Sequence, residues 1–130
     1  MTDLRIKTPC RIIVTGPSDI GKSTFLVRLL RANEKCFTQK LGTIYWCGGI
    51  LRDREMKEIK QQLEDVQFIE GFPGEQIKNG TLIPKGENAC LVLDDLGHEL
   101  EKSPELKYIF GMMSHHDNIN VFLLLQVCHW

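Results

Sequence analysis

No purely apolar run in this chain exceeds the five residues Val121–Leu125, far short of the roughly 20 residues that a membrane-crossing helix needs. The N-terminal stretch MTDLRIKTPC carries charges with no apolar segment behind them, so nothing in it reads as a secretory or membrane signal. Cys-x-x-Cys pairs are missing too. The five cysteines (Cys10, Cys36, Cys47, Cys90 and Cys128) are odd in number and scattered, which argues against a disulfide framework and against a zinc ribbon. Together these absences predict an intracellular chain in a reducing compartment with no membrane partner. No internal repeat or low-complexity segment interrupts the sequence.

What remains is the composition of one globular domain spanning residues 1–130, with 42% hydrophobic and 25% charged residues, long enough to bury a core. The net charge of -1 hides an asymmetry: residues 1–60 hold 12 basic and 6 acidic side chains, whereas residues 61–130 hold 4 and 11. A basic half of this kind can meet a phosphate backbone or serve as a solvated surface.

The β-branched run RIIVT (Arg11–Thr15) predicts a strand that ends at Gly16. A helix is expected over Lys22–Asn33, where Phe25, Leu26, Leu29 and Leu30 fall at helical spacing. TIYWC (Thr43–Cys47) predicts a second strand, stopped by Gly48 and Gly49. Met56, Ile59 and Leu63 form one stripe of a helix expected over Arg52–Leu63. Val66–Ile69 fits a short strand, and the Gly- and Pro-rich stretch 71–88 reads as a loop. CLVLD (Cys90–Asp94) and VFLLLQ (Val121–Gln126) are continuous apolar runs, suited to strands buried on both faces of a parallel sheet. Between them Ser103–Met113 is expected to be helical, with Pro104 in its first turn. Strands alternating with helices predict an α/β fold with a parallel sheet flanked by helices.

Within this frame GPSDIGKST (Gly16, Pro17, Ser18, Asp19, Ile20, Gly21, Lys22, Ser23, Thr24) has the Gly-x4-Gly-Lys-Ser spacing of a P-loop, placed between a predicted strand and a predicted helix. In that setting backbone N–H groups can turn inward on the phosphates of ATP, helped by the positive end of the helix dipole. Lys22 is then expected on the β- and γ-phosphates and the Ser23 hydroxyl on Mg²⁺. Asp19 is an unusual residue for a loop that wraps a polyanion. With its side chain turned to solvent it should cost only modest affinity, so Asp19→Gly should bind nucleotide somewhat more tightly.

LVLDDL (Leu91–Leu96) adds an apolar strand that delivers two carboxylates to its C-terminal end, next to where the P-loop strand ends if the sheet is parallel. Asp94 fits the Walker B task of holding Mg²⁺ through its water shell. Asp95 fits that of polarising the attacking water, with Glu99 as a substitute. Gln126, at the end of the last apolar strand, has a carboxamide that can bond γ-phosphate and water together.

Read together, IIVTGPSDIGKSTFLVRLL, TIYWCGG, VQFIEGFP, CLVLDDL and SHHDNINVFLLLQ resemble the genome-packaging ATPases of the FtsK/HerA superfamily, in the versions found in large DNA viruses and Polinton/Maverick elements. The resemblance runs from about Arg11 to Gln126. It implies a RecA-like P-loop NTPase fold, ATP hydrolysis with Mg²⁺, assembly into a homo-oligomeric ring and movement of double-stranded DNA, in a nucleus or virus factory. It places Lys22, Asp95 and Gln126 in catalysis and Ser23 and Asp94 at the metal. Asp117 stands where the family pattern has a basic residue, and QVCHW replaces the usual Gln-Asn-aromatic continuation. The family fold continues beyond the position of Trp130. This predicts a truncated domain, with a bare edge beside the P-loop strand and no arginine finger after Gln126.

Other residues carry weaker signals. Adjacent His115 and His116 point in different directions and read as family signature residues, while Cys128 and His129 make a poor metal site. Tyr45 and Trp46 could stack on a base, although strand aromatics usually pack in the sheet. Arg52, Arg54, Lys57 and Lys60 could touch DNA phosphates, but Asp53, Glu55 and Glu58 interleave with them as on a solvated helix. The leading functional expectation is an ATP-driven DNA-packaging or translocating motor domain. The alternatives are a nucleotide-binding remnant without turnover and a small-molecule or nucleotide kinase.

Overall fold

The computed structural model describes residues 3–16, 21–49, 51–84, 86–96 and 119–126. In chain order the elements are β1 (Arg11–Gly16), α1 (Lys22–Arg31), α2 (Asn33–Cys36), β2 (Ile44–Gly48), α3 (Asp53–Gln62), β3 (Val66–Glu70), α4 (Gly74–Lys78), β4 (Cys90–Asp94) and β5 (Asn120–Gln126). All five strands pair in parallel in the order β1-β5-β4-β2-β3, so the fold is α/β with a parallel sheet flanked by helices. Among the described residues no helix is long and apolar enough to cross a membrane.

β4 and β5 take the centre because their side chains are apolar on both faces. Cys90, Leu91, Val92 and Leu93 are fully buried, as are Val121 and Phe122. One face packs under α1 and α3, where Leu26 and Leu30 meet Trp46, Val92 and Leu124, and Phe37 meets Phe122 edge-on at 6.0 Å. The other face joins Tyr45, Leu91 and Leu123 to Ile77 of α4 and Ile83. Arg28 and Arg31 in the last turn of α1 oppose its negative dipole end, and Asp53 and Glu55 in the first turn of α3 complement its positive end.

Three expectations need correction. The stretch 71–88 is not all loop: α4 forms within it, because burying Ile77 against the sheet supports a turn that local propensity would not. The first helix stops at Arg31 rather than Asn33, broken at Ala32 (φ -87°, ψ 29°) before the short α2. Finally, the carboxylate-bearing strand does not lie beside β1, because β5 is inserted between them. The helix expected over Ser103–Met113 lies outside the described residues.

β1 is an edge strand, with β5 its only strand neighbour among the described residues. Its side chains alternate accordingly. Ile12 and Val14 pack against the core under α1, while Ile13 on the opposite face is 59% exposed. At the amino-terminal edge the fully buried Asn120 ties three segments together. Its Oδ1 accepts from the Cys10 amide at 3.0 Å, and its Nδ2 donates to Asn88 Oδ1 at 2.9 Å and to the Ala89 carbonyl at 3.0 Å.

Candidate functional site at the carboxyl edge of the sheet

In a parallel sheet every strand ends on the same edge, and here the chemistry-bearing residues gather there. Gly16 closes β1 in register with Gln126, and Asp94 closes β4 in register with Gly48 on one side and Leu124 on the other. Pro17, Ser18, Asp19 and Ile20 lie outside the described residues, as do the Gln126 side chain, Glu99, His115, His116, Asp117, Cys128 and His129.

The described parts of the Gly16–Thr24 segment are two glycines and the start of α1. Gly21 stands at φ 69°, in the left-handed region that favours glycine, and its carbonyl accepts from the Phe25 amide at 2.8 Å to open the helix. A Cβ on Gly16 would sit 3.8 Å from the Lys22 side chain, so the lysine stem lies across the end of β1. From there Lys22 Nζ donates to the Gly16 carbonyl oxygen at 2.9 Å. The ammonium is thereby held at the carboxyl edge.

Asp94 is half-buried, and Asp95, the next residue, is exposed. The indole Nε1–H of Trp46 donates to Asp94 Oδ2 at 3.2 Å. Burial is the main influence raising the Asp94 carboxyl above its ordinary 3.8. The Trp46 hydrogen bond opposes it, Asp95 and Glu55 add to the rise, and Lys22 lowers it. Asp95 takes φ 54°, unusual for a non-glycine residue, and its amide donates to the Leu124 carbonyl at 3.2 Å.

A cleft of about 460 Å³ collects these groups. Gly21 and the first turn of α1 (Lys22, Ser23 and Thr24) line it, with Asp94 at the end of β4 and Asp95 just after it, while Arg52 and Glu55 approach from the start of α3. A larger hollow of about 970 Å³ lies near the C-terminal ends of α1 and α3. Basic residues (Arg28, Arg31, Lys35, Lys40 and Lys60) outnumber Glu34, Glu64 and Asp65 there, but it contains none of the motif residues. The smaller cleft is therefore the candidate site.

Sequence reasoning missed the contributions of Trp46 and Glu55. The periodicity of α3 marks its apolar stripe but does not say that Glu55 lines the same cleft as Asp94. Tyr45 and Trp46 are 3% and 1% exposed, which excludes them as base-stacking platforms and agrees with packing in the sheet.

The cleft offers hard oxygen donors, the Ser23 hydroxyl and the Asp94 carboxylate. They fit Mg²⁺, which is commonly held by one or two protein ligands while keeping several waters and substrate phosphates. Among the described residues there is no cluster of three or more His, Cys, Asp or Glu side chains able to hold a metal ion on its own. The chain matches no protein-family model and no curated protein.

Proposed function

We propose that the chain is a P-loop NTPase with a RecA-like sheet, which binds Mg-ATP and hydrolyses it as a DNA-packaging or DNA-translocating motor domain. The observation that carries this reading is the convergence of Lys22 and Ser23, at the start of the helix after β1, with Asp94 and Asp95, at the end of β4, on one cleft at the carboxyl edge of a parallel sheet in which β5 separates the two strands. Crevices at that edge are where open α/β sheets bind ligands.

On this reading the Lys22 ammonium exchanges the Gly16 carbonyl for phosphate oxygens, and Gly21 opens α1 with its amides toward them. Bound Mg²⁺ would neutralise charge developing on the phosphates. Ser23 and Asp94 would hold it, Asp94 through water. Asp95, exposed at the mouth of the cleft, orients and polarises the attacking water, and Gln126 at the end of β5 senses the γ-phosphate. Double-stranded DNA and a homo-oligomeric ring enter the proposal through the resemblance to packaging ATPases, as does a nuclear or virus-factory location.

The test is Mg²⁺-dependent ATP hydrolysis by the purified chain, with and without duplex DNA, with Lys22→Ala as the control. Turnover that depends on Lys22 and rises with DNA is the expected result. Lys22-dependent nucleotide binding without turnover by a folded chain would overturn the motor reading in favour of a binding protein. Transfer of the γ-phosphate to a small acceptor would make it a kinase.

A further inference from the structure

Asp94 has no side chain directly across from it on β2, because its partner in the ladder is Gly48. The next position on the same face of β2 is Trp46, paired with Val92, and its indole spans the gap to put Nε1 3.2 Å from Asp94 Oδ2. We propose that Trp46 is a positioning residue for Asp94: its N–H engages one carboxylate oxygen, Oδ2, and so leaves Oδ1 as the oxygen that accepts from water on the magnesium of a bound nucleotide. The proposal rests on the nucleotide-binding reading above.

Packing alone does not account for this arrangement. Trp46 is 1% exposed, and at so buried a position its single N–H needs a partner. That partner is the carboxylate which lines the same cleft as Lys22 and Ser23. The ring is itself fixed. Phe68 lies directly across from it on β3, with ring centroids 6.5 Å apart, and the ammonium of Lys60 on α3 sits 5.6 Å from the Phe68 centroid. A donor held by such packing restricts the carboxylate rotamer before any metal arrives, which is how residues behind a metal ligand tune affinity.

The test measures ADP affinity by calorimetry with and without Mg²⁺ in the unmodified chain and in Trp46→Phe, which keeps an aromatic ring and removes the donor. Trp46→Phe should retain its metal-free ADP affinity and need roughly tenfold more Mg²⁺ for the metal-dependent gain, the size expected for one hydrogen bond to a charged acceptor. A second measurement uses Trp130→Phe, in which Trp46 is the sole tryptophan. Adding Mg²⁺ to the ADP-loaded chain should then change the indole emission.

An unchanged Mg²⁺ dependence in Trp46→Phe would overturn the proposal. So would an equal loss of ADP affinity with and without the metal, which is the mark of packing alone. If Trp46→Phe does not fold, the emission measurement decides, and a silent indole counts against the proposal. Absence of Lys22-dependent ADP binding in the unmodified chain would refute the nucleotide-binding reading first, and this inference with it.

Discussion

The backbone amide of Asp95 donates to the carbonyl of Leu124 at 3.2 Å, and Asp95 does so from a φ of 54°. The left-handed turn ends β4 and brings Asp95 out at the mouth of the cleft. Aspartate tolerates this region better than alanine, and glycine better than both. Asp95→Ala should therefore lower stability by about 0.5–1 kcal/mol, while Asp95→Gly should stay close to the unmodified chain. Both should reduce ATP turnover by about 10² or more if Asp95 positions the attacking water. Urea midpoints and hydrolysis rates measured on the same samples separate strain from chemistry. Equal stability of the two variants would contradict the strain argument.

Asp94 gives a prediction about pH. Its carboxyl is raised above 3.8 chiefly by burial, with Asp95 and Glu55 adding to the rise against Trp46 and Lys22, so the folded chain holds this proton more tightly than the unfolded chain. Stability from this group is then greatest below 3.8. It falls as pH rises toward the higher folded-state value and stays low above it. Asp94→Asn lacks that titration. Its stability relative to the unmodified chain should grow with pH and then level off, in urea midpoints taken between about pH 4 and 7. A gap that shrinks as pH rises would show that ionised Asp94 stabilises the fold. On the proposed function the same variant should also lose Mg²⁺-dependent hydrolysis, separating what the carboxylate costs the fold from what it would supply to the site.

The strands were legible because each is a β-branched or apolar run bounded by glycine or charge, and Cys90–Asp94 matches its expected limits. α3 falls within a residue of expectation because its apolar stripe is regular. α4 escaped notice because Gly74 and its flanking Pro73 read as loop, and only the burial of Ile77 reveals the helix. Among the site residues, Lys22, Ser23, Asp94 and Asp95 stand in motifs that strand and helix ends present directly. Trp46 and Glu55 join them only because the strand order sets β2 beside β4, with α3 following from it. Periodicity carries no information about strand order, so their part in the site was not readable from sequence.

Asn120 was equally hidden, since a lone polar residue just before VFLLLQ gives no sign of the partners it will meet. It is fully buried, with one acceptor bond and two donor bonds from its side chain, joining the starts of β1, β4 and β5. Asn120→Ala removes all three and leaves the Cys10 amide without this partner, which should cost about 3 kcal/mol. Asn120→Asp keeps an acceptor for Cys10 but buries a charge facing the Asn88 and Ala89 oxygens, and should cost at least as much. Denaturant midpoints provide the measure, and a loss below about 1 kcal/mol for Asn120→Ala would show that water replaces these bonds readily.

Ile13 bears on how the chain behaves at high concentration. It sits mid-strand in β1, 59% exposed, on a strand whose only strand neighbour among the described residues is β5. An apolar side chain exposed on a strand at the edge of a sheet favours pairing between copies. Ile13→Lys leaves the β1–β5 ladder intact and adds an edge charge, so self-association in sedimentation velocity should fall while stability moves by no more than about 0.5 kcal/mol. Ile12 is the control, because it packs against the core under α1. Ile12→Lys should destabilise the fold by several-fold more, since it buries a charge without a partner. Equal destabilisation by both substitutions would mean that the Ile13 face is covered in solution, and unchanged association in Ile13→Lys would place the self-association surface elsewhere.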